Sequence, residues 1–135
     1  MGALQYANLN EQAEAQGSIV AEPLLGTWWN TNAATRGIAK AVLAGETNGI
    51  VLRIFAAGSQ QLVEWGETAA SIFAADASAA EAMAFSAFYD FGFMETQLQG
   101  HVRQGLLIIA KFDRFKDDSG RSNYFSKEFF YRTEA

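Results

Sequence analysis

From Leu24 onward, hydrophobic and polar residues alternate with a period of two over most of the chain, the spacing of strands that bury one face. Phe93 to Arg103 is the cleanest case. Glu95, Gln97, Gln99, His101 and Arg103 fall on one face, and Met94, Thr96, Leu98, Gly100 and Val102 on the other. The same reading predicts strands over Leu25–Asn30, Gly37–Ala44, Ile50–Ala57, Leu62–Phe73, Leu106–Phe115 and Asn123–Arg132. Turn signals separate them. Asn48-Gly49 suits a two-residue hairpin, because both residues tolerate positive φ. Gly58-Ser59, Gln104-Gly105 and Asp117-Asp118-Ser119-Gly120 mark three further turns.

One segment is ambiguous. Ala69 to Phe88 is Ala-rich, Ser78-Ala79-Ala80-Glu81 matches a capping box, and Ile72, Phe73, Ala80, Met83 and Ala87 could form a helical stripe. Alternatively, the chain turns at Asp76–Ala80 and Ala82–Phe91 is a strand. Flanking strands and the shared phase of Phe85, Tyr89, Phe91 and Phe93 favour the hairpin. Residues 1–23 read as a polar leader or cap, with a helical turn or two at Asn10–Ala15 ended by Gly17 and Pro23. Residues 24–135 form the domain. About eight strands joined by short connections predict an all-β fold: an eight-stranded antiparallel up-and-down β-barrel with a short N-terminal leader, closed so that no edge is exposed.

Composition narrows the chemistry. The chain has 135 residues, with no Cys and a single His, His101. Disulfides, zinc ribbons, iron–sulfur clusters and thiol catalysis are therefore excluded, and no cofactor is expected. The formal charge is −5 and the ten Lys and Arg are dispersed, so no nucleic-acid partner is expected. The small cluster Lys111, Arg114, Lys116 and Arg121 is interrupted by acids and reads as a solvated strand end. No apolar run is long enough for a membrane span, and no signal segment is visible, which points to the cytoplasm. Nine of the 11 Phe lie from Phe85 onward. Phe125 and Phe129 take one face of the last strand and Phe130 the other. Some rings must then cover the outside of the barrel, under the leader or against a second subunit in a homo-oligomer.

An eight-stranded barrel is just wide enough inside to be filled by side chains or to hold one small ligand. Trp65, Phe85, Tyr89 and Phe91 are the candidate walls of such a site; the alternative for each ring is plain core packing. Arg53, in phase with Val51 and Phe55, is the candidate polar anchor, or else is ion-paired or exposed. Trp65 shares its phase with Val63 and Glu67. Glu64 and Glu67, at odd spacing, fall on opposite faces, and Asp90 points away from Tyr89 and Phe91. No triad spacing, phosphate loop or calcium loop is present.

Gly26-Thr27-Trp28 resembles the Gly-x-Trp signature of the calycin superfamily, which includes lipocalins, fatty-acid-binding proteins and avidins. The resemblance implies that Trp28 plugs the closed end of the barrel beneath Arg132 of the last strand. Gly26-Thr27-Trp28-Trp29-Asn30 is similar to the opening strand of avidins, where the Asn contacts ligand. Ala34 replaces the Ser of biotin binders, so the likeness stops short of biotin. Tyr89-Asp90-Phe91-Gly92-Phe93 and Asp117–Ser122 resemble an uncharacterised bacterial lipocalin-like family. The expected function is binding of a small, largely apolar molecule in the lumen, reached from the end opposite Trp28. The alternative is a cofactor-independent cyclase of a natural-product pathway, folding a polyene or polyketide, with Arg53, Tyr89 or Tyr124 polarising a carbonyl.

Overall fold

The computed structural model describes residues 19–47 and 49–133. The expected helical turns at Asn10–Ala15 lie outside this range, as does Asn48 of the predicted hairpin. A single 3-10 turn, Glu22–Leu24, leads into β1 (Gly26–Asn30), β2 (Ile38–Glu46), β3 (Gly49–Ala56), β4 (Val63–Ala74), β5 (Ala82–Asp90), β6 (Met94–Arg103), β7 (Leu106–Phe115) and β8 (Tyr124–Arg132). Each strand pairs antiparallel with the next. β8 returns to β1 through Trp28↔Arg132 and Asn30↔Phe130, closing the barrel. This all-antiparallel, up-and-down arrangement is the fold expected from the alternation, and it is compatible with a calycin-like barrel. No helix among the described residues is long and apolar enough to cross a membrane.

Residues 69–88 are a hairpin. Ile72 pairs with Phe85 and Ser71 with Ser86. The apparent capping box is a turn in which the N–H and hydroxyl of Ser78 both donate to Asp76 Oδ1, at 2.9 and 2.8 Å. Ala propensity loses here to pairing on both sides of the segment.

The inward face carries Leu43, Leu52, Ile54, Phe85, Leu98, Leu107, Ile109 and Phe130, all essentially inaccessible to solvent. Phe85 lies over Gly100, where a side chain would occupy the space of the phenyl ring. One end is plugged. Leu24 and Trp28 are fully buried, and Trp28 Nε1 donates to the Leu24 carbonyl at 3.0 Å. The Arg132 guanidinium lies 4.4 Å over the Trp28 ring and donates to the carbonyls of Pro23 (2.6 Å) and Leu25 (3.0 Å). The far end is formed by the β1–β2, β3–β4, β5–β6 and β7–β8 connections.

The outward face is unusually aromatic. Phe73, Phe88, Phe112, Phe125, Phe129 and Tyr131 are all exposed, and the rings of Phe112 and Phe125 pair at 5.1 Å. Phe130, between Phe129 and Tyr131, is fully buried, as strand alternation requires.

Candidate site at the far end of the barrel

A β-bulge begins the site. Along β3, Arg53 pairs with Glu67, Ile54 with Gly66 and Phe55 with Glu64, so Trp65 is one residue too many for the ladder. Gly66 takes φ +94°, a conformation that L side chains rarely adopt. The bulge has two consequences. It brings Glu64 and Glu67 to the same outer face, correcting the opposite-face expectation, which assumed an unbroken period of two. It also takes Trp65 out of phase with Glu67 while leaving it in phase with Val63. The half-buried indole instead packs edge-on against Tyr89 (5.3 Å) and Phe91 (5.2 Å), while Tyr89 and Phe91 stack at 5.8 Å.

Tyr89 is nearly buried, and its hydroxyl donates to the Gly66 carbonyl at 2.7 Å. Burial pushes its pKa up to about 12. The ring is therefore held as a neutral phenol, tied back to the bulge.

The wall continues across the sheet. Tyr89 pairs with Thr96, Thr96 with Asp113 and Asp113 with Tyr124, so one cross-strand row runs from the aromatic cluster into a polar one. Asp113 is buried and both its carboxylate oxygens are used. Oδ1 accepts from the Thr96 hydroxyl at 2.5 Å, and Oδ2 accepts from the Lys111 ammonium. Lys111 is also buried, which corrects its assignment to a solvated strand end. It shares the inward phase of Leu107 and Ile109, and its charge is balanced by the neighbouring acid of the same phase. Lys111 Nζ further donates to the Tyr124 hydroxyl at 3.4 Å and lies 4.7 Å over the Tyr124 ring.

Phe115 and Phe93 extend this rim from Tyr124, with ring centroids 6.3 and 6.4 Å apart in succession. The Arg121 guanidinium covers Phe115 at 4.2 Å and pairs with Asp117 at 2.9 Å. Lys116 pairs with Asp90 at 2.8 Å, and that hydrogen bond holds the Asp90 carboxyl below its ordinary pKa.

Four residues beyond Tyr124 on β8, Glu128 fastens the β1–β2 loop. Its carboxylate accepts from Asn30 Nδ2 (2.6 Å), the Ile38 N–H (3.1 Å) and the Thr35 hydroxyl. Asn30 spends its amide on Glu128 and the Ile38 carbonyl, and its Oδ1 on the Asn32 N–H. Nothing in the period of the last strand singled out Glu128. Its role depends on a loop whose path is set by closure of the barrel.

The six sequence candidates thus separate. Trp65, Tyr89 and Phe91 come together at the far end. Tyr124 joins their row across β6 and β7. Phe85 lies deeper, among the packed core. Arg53 stands on the outer face, opposite in phase to Leu52 and Ile54. It binds Glu64 through Nε (2.9 Å) and Nη2 (2.7 Å), with both side chains about 40% exposed. His101 is likewise outward, beside a shallow groove with Phe73, Gln97 and Gln99. A groove of about 340 Å³ opens where Asp113 and Tyr124 meet Phe112, Arg114, Asn123 and Phe125. Among the described residues, no three acidic or His side chains form a group that could hold a metal ion. No protein-family model, curated protein or solved structure matches the chain.

Proposed function

We propose that the protein is a calycin-type barrel that binds a small, largely apolar molecule at its far end. The observation that carries this reading is a half-buried aromatic cluster, Trp65–Tyr89–Phe91, continuous with a polar cluster on the same inward row. An apolar wall with a few fixed polar groups is the usual plan of a small-molecule site. The packed rings and aliphatic chains around Phe85 and Phe130 leave the ligand the mouth, not the depth, of the barrel. Arg53, outside and paired with Glu64, is replaced as polar anchor by the Lys111–Asp113–Tyr124 cluster.

The test is native mass spectrometry of the purified protein, followed by solvent extraction. The expected result is an adduct that is released on denaturation and strongly reduced in a Trp65→Ala variant. A bare chain mass, with no apolar probe taken up on titration, overturns the reading. The cyclase reading uses the same mouth. The observation that favours it is the Tyr124 hydroxyl beside the Lys111 ammonium, a pair able to polarise a carbonyl.

A further inference from the structure

The hydrogen-bond directions around Lys111 define what the polar end of the site can accept. Thr96 and Lys111 between them occupy both oxygens of Asp113. Lys111 has three N–H donors, and Asp113 and Tyr124 take two. Because Tyr124 Oη accepts from Lys111, its own hydrogen points elsewhere, and it has no acceptor among the described residues. Tyr124 is half-exposed. With Asp113 and Thr96 buried, the accessible donors of the cluster are the Tyr124 hydroxyl and the third Lys111 N–H.

Its charge is also closed. Lys111 is matched by Asp113, Arg121 by Asp117, and Lys116 by Asp90, and Arg114 is on the outward face of β7, opposite in phase to Lys111 and Asp113. On the inward face, a ligand carboxylate would enter beside the buried Asp113 anion without a spare cation to neutralise it. An uncharged acceptor meets no such repulsion. The ammonium against the phenol oxygen and ring also strengthens the outward O–H as a donor.

We propose that Tyr124 and Lys111 form a clamp for the carbonyl oxygen of a neutral ketone or aldehyde whose apolar body lies along Phe91, Tyr89 and Trp65. This rests on the binding reading above and adds the chemical class of the ligand. The row Tyr89–Thr96–Asp113–Tyr124 gives the geometry. Neighbouring strands are about 4.8 Å apart, so three steps span about 14 Å, the length of a bicyclic or short polyene ketone.

The experiment compares two dyes, prodan, an aromatic ketone, and its carbonyl-free parent, dimethylaminonaphthalene. Each is titrated by fluorescence into the wild-type protein, into Tyr124→Phe, and into the double variant Lys111→Met with Asp113→Leu. The wild type is expected to bind the ketone about tenfold more tightly than the parent, with the red-shifted emission of a hydrogen-bonded carbonyl. Tyr124→Phe, an exposed single-atom deletion, is expected to reduce that ratio to about twofold or less by weakening binding of the ketone. The double variant is expected to do the same without leaving a buried lone charge. An unchanged ratio in Tyr124→Phe, or equal binding of both dyes by the wild type, overturns the clamp while the binding reading stands. If neither dye binds, both fail together.

Discussion

Lys111 and Asp113 are two residues apart on β7, share the inward face, and are buried beside each other. Removing one partner strands the other charge, whereas removing both removes the desolvation cost as well. Asp113→Ala is thus expected to destabilise the fold by about 3–5 kcal/mol, and the pair Lys111→Met with Asp113→Leu to be close to neutral, as read from urea denaturation midpoints. Equal losses from both variants would refute the account. Tyr89 gives a pH prediction. Its phenol ionises near 12 in the folded state against an ordinary value of 10. The folded state therefore holds the proton more tightly than the unfolded chain. That contribution is complete below pH 10 and is lost as pH rises toward 12, amounting to about 2–3 kcal/mol. Denaturation midpoints taken across this window should fall more steeply in wild type than in Tyr89→Phe, and parallel slopes would contradict it.

At the scale of elements, two glycines act in opposite ways. Gly66 permits the bulge that carries Trp65 to Tyr89, because its φ of +94° is closed to most side chains. Gly100, on β6, makes room for the Phe85 ring from β5, its register partner. A side chain at Gly100 must displace that ring inside a closed barrel. Gly100→Val is expected to cost about 1–3 kcal/mol, partly recovered by adding Phe85→Leu. Thermal denaturation of the single and double variants measures the coupling, and strict additivity would show that the two residues do not share the space.

For the whole molecule, the plug joins the chain's two described ends. Arg132, the last residue of β8, donates to backbone carbonyls within and just after the 3-10 turn while stacking on Trp28 of β1. Arg132→Met keeps much of the stem and removes the donors. It is expected to lower stability by about 1–3 kcal/mol and to speed hydrogen exchange at the Leu24 and Leu25 amides, whose bonds to Ala21 and Glu22 hold the turn. Unchanged exchange at those amides would assign the Arg to stacking alone. The strands, their order and the hairpin turning at Asp76–Ala80 were legible in the sequence, and the Trp28–Arg132 contact was implied by the resemblance. Period-two patterning, turn residues and a signature tripeptide are local signals. The composition of the aromatic cluster was legible too, since Tyr89 and Phe91 share a phase within one stretch of chain. Three things were decided only in three dimensions. The bulge at Trp65–Gly66 inverts phase part-way along a strand, so counting alone misplaces Glu64 and Trp65. The inward face of β3 is the even-numbered one, which sets Arg53 outside, because its register is fixed by β2 and β4 together. The burial of Lys111 follows from the placement of Asp113 and Thr96 around it, on its own strand and the next. Alternation along one strand states which residues share a face. Only closure of the sheet states which face is inside, and which charges meet there.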